Sequence, residues 1–132
     1  MEPYRHKVKY YECDPMGVVH HSNYVRFMEE ARVEMMDRLG FGYERMEADG
    51  VISPVLSLTC KFLRPAHFQE VVEISVRLSS STAMKVSFAY EMRVEGNVVM
   101  TAESTHCFLE NGRPVSLEKR FPEFFAVLSE LW

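Results

Sequence analysis

Two hydrophobic periods divide the chain. Tyr24, Phe27, Met28, Ala31, Met35 and Leu39 recur at helical spacing, while Glu29, Glu30, Arg32, Glu34, Asp37 and Arg38 fill much of the remaining surface. One apolar stripe of this kind predicts an amphipathic helix. Ser22 or Asn23 is placed to cap it, since either side chain accepts from the free N–H groups of a first turn, and Gly40 and Gly42 end it. The stretch 41–50 predicts one further short helix stopped by Gly50.

From residue 55 the period becomes two. Leu56, Leu58, Cys60 and Phe62 alternate with Ser57, Thr59 and Lys61 in 55–64; Val72, Ile74, Val76 and Leu78 alternate with Glu73, Ser75 and Arg77 in 71–78. In 84–94, Met84, Val86, Phe88, Tyr90, Met92 and Val94 alternate with Lys85, Ser87, Ala89, Glu91 and Arg93. Such alternation predicts antiparallel strands with one face on a core. Glu95-Gly96-Asn97 predicts a tight turn into a long strand at 98–109, and Asn111-Gly112 is a strong hairpin signal leading to a short strand near 113–117. Residues 4–11 predict a first strand, Pro15 and Gly17 break regularity after it, and 121–131 reads as a helix or tail. The order strand, helix, antiparallel strands predicts an α+β fold, one long helix on a single curved sheet of five to six strands.

At 132 residues the chain predicts one domain, 1–132. Lys and Arg total 15 against 19 Asp and Glu, a net charge of -4 that argues against a nucleic-acid partner. Cysteines 13, 60 and 107 are odd in number and widely spaced, which fits reduced thiols and a cytoplasmic protein rather than a zinc knuckle or a redox pair. The polar start MEPYRHKVKYYE predicts no signal peptide, and no apolar run is long enough to predict a membrane span. A single helix covers only one face of a sheet, and the strand near 71–78, read as an edge, needs a partner or charges.

The chemistry concentrates in residues 10–24, Tyr10-Tyr11-Glu12-Cys13-Asp14-Pro15-Met16-Gly17-Val18-Val19-His20-His21-Ser22-Asn23-Tyr24. A carboxylate and two histidines fall in a loop that feeds the amino end of the main helix. Unpaired N–H groups and the helix dipole favour negative charge there, including the oxyanion of a tetrahedral intermediate. Asp14 can act as a base or nucleophile, or simply cap a turn; chemistry alone leaves both open.

The run from Tyr11 through Gly17-Val18-Val19-His20-His21 to Tyr24, with Glu29 and Arg32, resembles the signature of the 4-hydroxybenzoyl-CoA thioesterase-like branch of the hotdog-fold superfamily, which includes the Tol–Pal-associated acyl-CoA thioesterases. The likeness continues through Phe62-Leu63-Arg64-Pro65-Ala66 and Phe68-Gln69-Glu70; Cys13 stands where that family usually has Thr, and His20 where Tyr is frequent. The resemblance implies hydrolysis of an acyl-CoA thioester to a free acid and CoA, with no cofactor. It implies Asp14 as nucleophile or general base, the His21 backbone N–H on the thioester carbonyl with its imidazole assisting, and Tyr11 orienting the aspartate or water. It places Gly17, Val18, Val19, Asn23 and Tyr24 around the substrate, with Lys61 and Arg64 toward the CoA. It further implies a homodimer, paired into a tetramer, with sites between protomers.

Other readings compete. A hotdog hydratase uses an Asp–His spacing of five with Asn-Pro between, whereas Asp14 stands six from His20 and seven from His21. A non-catalytic acyl-CoA-binding module has no need of Asp14. Cys13 is a poor nucleophile beside an anion, His20 reads as solvated or packed, and the histidines lack metal-site spacing, so no metal is expected. Lys85, Arg113, Lys119 and Arg120 are further phosphate candidates, more simply read as solvated charges.

Overall fold

The helical stripe is buried as its spacing requires. The computed structural model describes residues 1–131. Helix α1 (Ser22–Arg38) buries Tyr24, Phe27, Met28, Ala31, Met35 and Met36, with Leu39 packed at its end. It lies across β1 (Tyr4–Lys7) and β4 (Val71–Ser81). Full burial of each large apolar side chain stabilises by about 1.5–3 kcal/mol, so this stripe is what holds α1, and the loop before it, in place.

The main sheet has five antiparallel strands in the order β1-β4-β5-β6-β3, with β3 at Val55–Phe62, β5 at Val86–Val94 and β6 at Asn97–His106. Val72, Ile74, Leu78, Val86, Phe88, Tyr90, Met92 and Met100 point into the core. Register shifts between Leu78 and Ser80 and between Met92 and Arg93 mark bulges, which bend and twist the strands. A second sheet, β2-β7-β8, joins β2 (Val51–Ile52), β7 (Phe108–Glu110) and β8 (Arg113–Val115). Its β7–β8 turn has Asn111 at φ 54° and Gly112 at φ 75°, the left-handed pair that the Asn-Gly signal anticipates. Helices α2 (Tyr43–Ala48), α3 (Leu117–Arg120) and α4 (Pro122–Ser129) complete the chain, and Phe124 and Leu128 of α4 close the core.

Four expectations change. The strand read as an edge, 71–78, lies inside the sheet between β1 and β5; the edges are β1 and β3. On β3 the apolar alternation is only partly covered: Cys60 reaches Met28 of α1 and Phe62 the Tyr24 ring, while Leu56, Leu58 and Phe62 stay 49%, 41% and 52% exposed. The first strand stops at Lys7, and Tyr10–Glu12 form a 3-10 turn instead, so Glu12 folds back under the helix start. The helix is not capped by a Ser22 or Asn23 side chain. His21 takes the cap position with helical backbone angles, φ -55° and ψ -30°, because Asn23 N–H bonds the His20 carbonyl and Tyr24 N–H the His21 carbonyl.

Candidate active site

The loop before α1 is a small closed hairpin. Asp14 N–H donates to the Val18 carbonyl at 2.8 Å, and Gly17 N–H to the Asp14 carbonyl at 2.9 Å. Gly17 sits at φ 80°, a conformation that costs glycine little. The Asp14 carboxylate then turns inward on its own loop: Oδ1 accepts from Met16 N–H at 2.8 Å and from Val18 N–H at 3.4 Å. Asp14 thus caps the turn through Oδ1 and leaves Oδ2 without a partner among the described residues.

The hairpin is pinned to the segment after β3. Val18 bridges His67, and Val19 N–H donates to the Ala66 carbonyl at 2.8 Å. This brings Asp14, Val18, Val19, His21 and Tyr24 together with Phe62, Leu63, Arg64 and Pro65 around one open cleft of about 370 Å³. The His21 backbone N–H donates to no acceptor among the described residues, and it stands at the positive end of the 17-residue α1. The cleft is therefore lined by Asp14, by His21 with its unpaired N–H at a helix start, and by an apolar wall.

The remaining candidates lie as follows. Tyr11 is 75% exposed, outside the cleft lining, with Lys9 Nζ 5.8 Å from its ring centre. Asn23 is buried; its Nδ2 donates to the Glu12 carbonyl at 2.8 Å and its Oδ1 accepts from Arg26, so it supports the loop from below. Gly17 shapes the hairpin. Lys61 is exposed on β3, opposite Thr101, and Arg64 alone of the proposed cations lines the cleft. Arg120 is engaged by Glu110 at 3.1 Å. His20 Nδ1 meets Ser22 Oγ at 2.8 Å, and its ring stacks on His21 at 4.2 Å. Burial, then Glu12 and Asp14, push the Cys13 thiol up, which disfavours a thiolate. Tyr24, pushed up by burial, stays a neutral phenol at the cleft edge.

Phe62, Leu63 and Pro65 line the cleft without having been assigned to it from sequence. Their signal was present in the same stretch as Arg64. His106, by contrast, is fully buried at the end of β6, with Nε2 2.7 Å from Ser104 Oγ; Ser104 in turn meets Tyr90 at 2.6 Å, and Tyr90 accepts from Arg32 at 2.9 Å. That network belongs to the core.

Comparison with known proteins matches residues 8–127 to the thioesterase-like superfamily. A Thermus thermophilus protein of known structure, TT1821, shares 36% identity, with 100% of each chain covered and a TM-score of 0.90. The DHNA-CoA thioesterase of Staphylococcus aureus superposes with a TM-score of 0.89 at 27% identity, over 98% of this chain and 89% of that one. The acyl-CoA thioester hydrolase YbgC of Escherichia coli is 30% identical over 98 residues, 74% of this chain and 73% of its own. The architecture is the hotdog fold, and the chain belongs to the thioesterase-like superfamily.

Proposed function

We propose that the protein is an acyl-CoA thioesterase, acting as a single domain over its whole length, with Asp14 as general base on water. The carrying observation is that Asp14 and His21, whose N–H is unpaired among the described residues, line one cleft together with an apolar wall and Arg64. The thioester carbonyl docks on the His21 N–H. The Asp14 oxygen that is not held by Met16 takes a proton from water as the oxygen of that water bonds the carbonyl carbon. The oxyanion, held at the helix start, collapses and expels the CoA thiolate, which takes up a proton, leaving the free acid. Val18, Val19, Phe62 and Leu63 receive the acyl or pantetheine chain, and Arg64 meets a CoA phosphate.

The names of two relatives, an acyl-CoA thioester hydrolase and a DHNA-CoA thioesterase, support the substrate class. Within the superfamily we assign the chain to the 4-hydroxybenzoyl-CoA thioesterase-like, Tol–Pal-associated branch on its Gly17-to-His21 run. We place it in the cytoplasm, where its three cysteines stay reduced; none is in a disulfide, and no helix among the described residues is long and apolar enough to cross a membrane.

The active unit is a homodimer, paired further into a tetramer. Strand β3 is an unpaired edge with Leu56, Leu58 and Phe62 exposed, an arrangement that calls for a second copy. Because Phe62 also lines the cleft, pairing there completes the site.

Thiol release from a panel of short aliphatic, long aliphatic and aromatic acyl-CoAs, run beside acyl-carrier-protein thioesters, tests the proposal. Turnover of at least one acyl-CoA class is expected. No release from any of them overturns it.

A further inference from the structure

Two residues before Asp14, Glu12 is 6% exposed, although it carries a carboxylate. Its Oε1 accepts from His6 Nε2 at 2.8 Å and from Lys9 N–H at 2.7 Å. Its backbone carbonyl accepts from His20 N–H at 2.9 Å and from Asn23 Nδ2 at 2.8 Å. One residue therefore joins β1, the 3-10 turn, the residue before His21 and the first turn of α1. His6 is itself buried, its ring packed on Phe27 with centres 4.2 Å apart, and its Nδ1 lies 3.4 Å from Glu30 of α1. The far side of the clamp is thus anchored in the core.

A buried carboxylate is costly unless it is paired and hydrogen-bonded. Nothing in the closed Asp14 hairpin needs Glu12 to close: the bonds among Asp14, Met16, Gly17 and Val18 are internal to it. What Glu12 does fix is the placement of that hairpin relative to the helix start: its side chain ties the residue to His6 and Lys9, and the backbone carbonyl held there takes the His20 and Asn23 donors.

We propose that Glu12, backed by His6, is a positioning residue that sets the separation between the Asp14 carboxylate and the His21 amide; this rests on the thioesterase reading above. Glu12 is buried and is not among the residues that line the cleft. A displacement of about 1 Å between base and oxyanion donor can cost on the order of 100-fold in rate, so the clamp acts on turnover and leaves substrate binding alone.

Steady-state hydrolysis of the best acyl-CoA by Glu12→Ala and Glu12→Gln tests this, with folded fraction measured by circular dichroism. Glu12→Gln keeps the volume and an oxygen for Lys9 N–H, so it decides the matter even where Glu12→Ala fails to fold. The expected result is a kcat reduced at least tenfold in Glu12→Ala and three- to tenfold in Glu12→Gln, each with KM within threefold of the parent and the Gln variant fully folded. A kcat within twofold in Glu12→Gln, or a loss that follows the unfolded fraction, or one that falls on KM, overturns the proposal. Asp14→Asn run in parallel separates the two readings. If it retains full turnover, the assignment of Asp14 fails; if it is inactive while the Glu12 variants are normal, only the clamp fails.

Discussion

Asp14 Oδ1 accepts the backbone N–H of Met16 at 2.8 Å. An asparagine oxygen can make the same bond, whereas alanine cannot. Asp14→Asn should therefore unfold within about 2 °C of the parent, while Asp14→Ala loses about 1 kcal/mol, or about 4 °C. Thermal unfolding by circular dichroism checks this. Equal melting temperatures for the parent and Asp14→Ala would show that the turn does not depend on the carboxylate.

The role of Arg64 is read best through the part of the substrate it touches. A charge-assisted bond to a phosphate is worth about 1.5–3 kcal/mol, so Arg64→Ala should raise KM for acyl-CoA by about tenfold or more with kcat nearly unchanged. With an acyl-pantetheine that lacks the nucleotide, parent and variant should have the same KM. Equal sensitivity to both substrates would place the nucleotide elsewhere.

Leu58 is 41% exposed on the unpaired edge strand β3. Burying an aspartate there without a partner is costly, so Leu58→Asp should shift the protein from dimer or tetramer to monomer in sedimentation velocity and remove most of the activity. A variant that sediments like the parent would move the interface off β3.

The His106 imidazole is held neutral. Burial, then the Arg32 charge, lower its pKa from 6.5 to about 4, and its Nδ1 has no hydrogen-bond partner. The unfolded chain therefore binds the proton first. The His106 contribution to stability is therefore flat above pH 6.5 and is lost as the pH drops toward 4, by about 3 kcal/mol over that window. Urea denaturation at several pH values should show this slope in the parent and lose most of it in His106→Gln. An unchanged slope in that variant would assign the acid sensitivity to other groups.

Much of the architecture is legible because it is local. The Phe27–Met35 stripe fixes its own helix, and Asn111-Gly112 its own turn. The catalytic candidates are legible for the same reason: Asp14 and His21 are brought together by a short hairpin. What is hidden depends on partners distant in the chain. Period-two spacing makes Leu56 and Leu58 look like Val72 and Ile74, yet strand order leaves the first pair on an open edge and the second under α1. Asn23 looks like a helix cap until Glu12 folds beneath it and takes its amide. The cleft wall at Phe62 and Leu63 forms where Val18 and Val19 dock on Ala66 and His67, a contact distant in the chain.

The base role of Asp14 differs from a nucleophilic one in where oxygen goes. In a single turnover in ¹⁸O-water, a base delivers the label to the released acid alone. A nucleophile forms an anhydride whose hydrolysis can leave the label in the protein. Mass spectrometry of the peptide bearing Asp14 should show no added mass; a gain of one ¹⁸O there would assign the nucleophilic route.

If Asp14 and the helix start at His21 hydrolyse a thioester, kcat must fall in Asp14→Asn. General-base catalysis contributes about 10²–10⁴-fold. The folded variant should therefore lose at least about 100-fold in kcat on the preferred acyl-CoA, with KM changed by less than about threefold. A folded Asp14→Asn that turns over within about threefold of the parent would show that Asp14 is not the catalytic base.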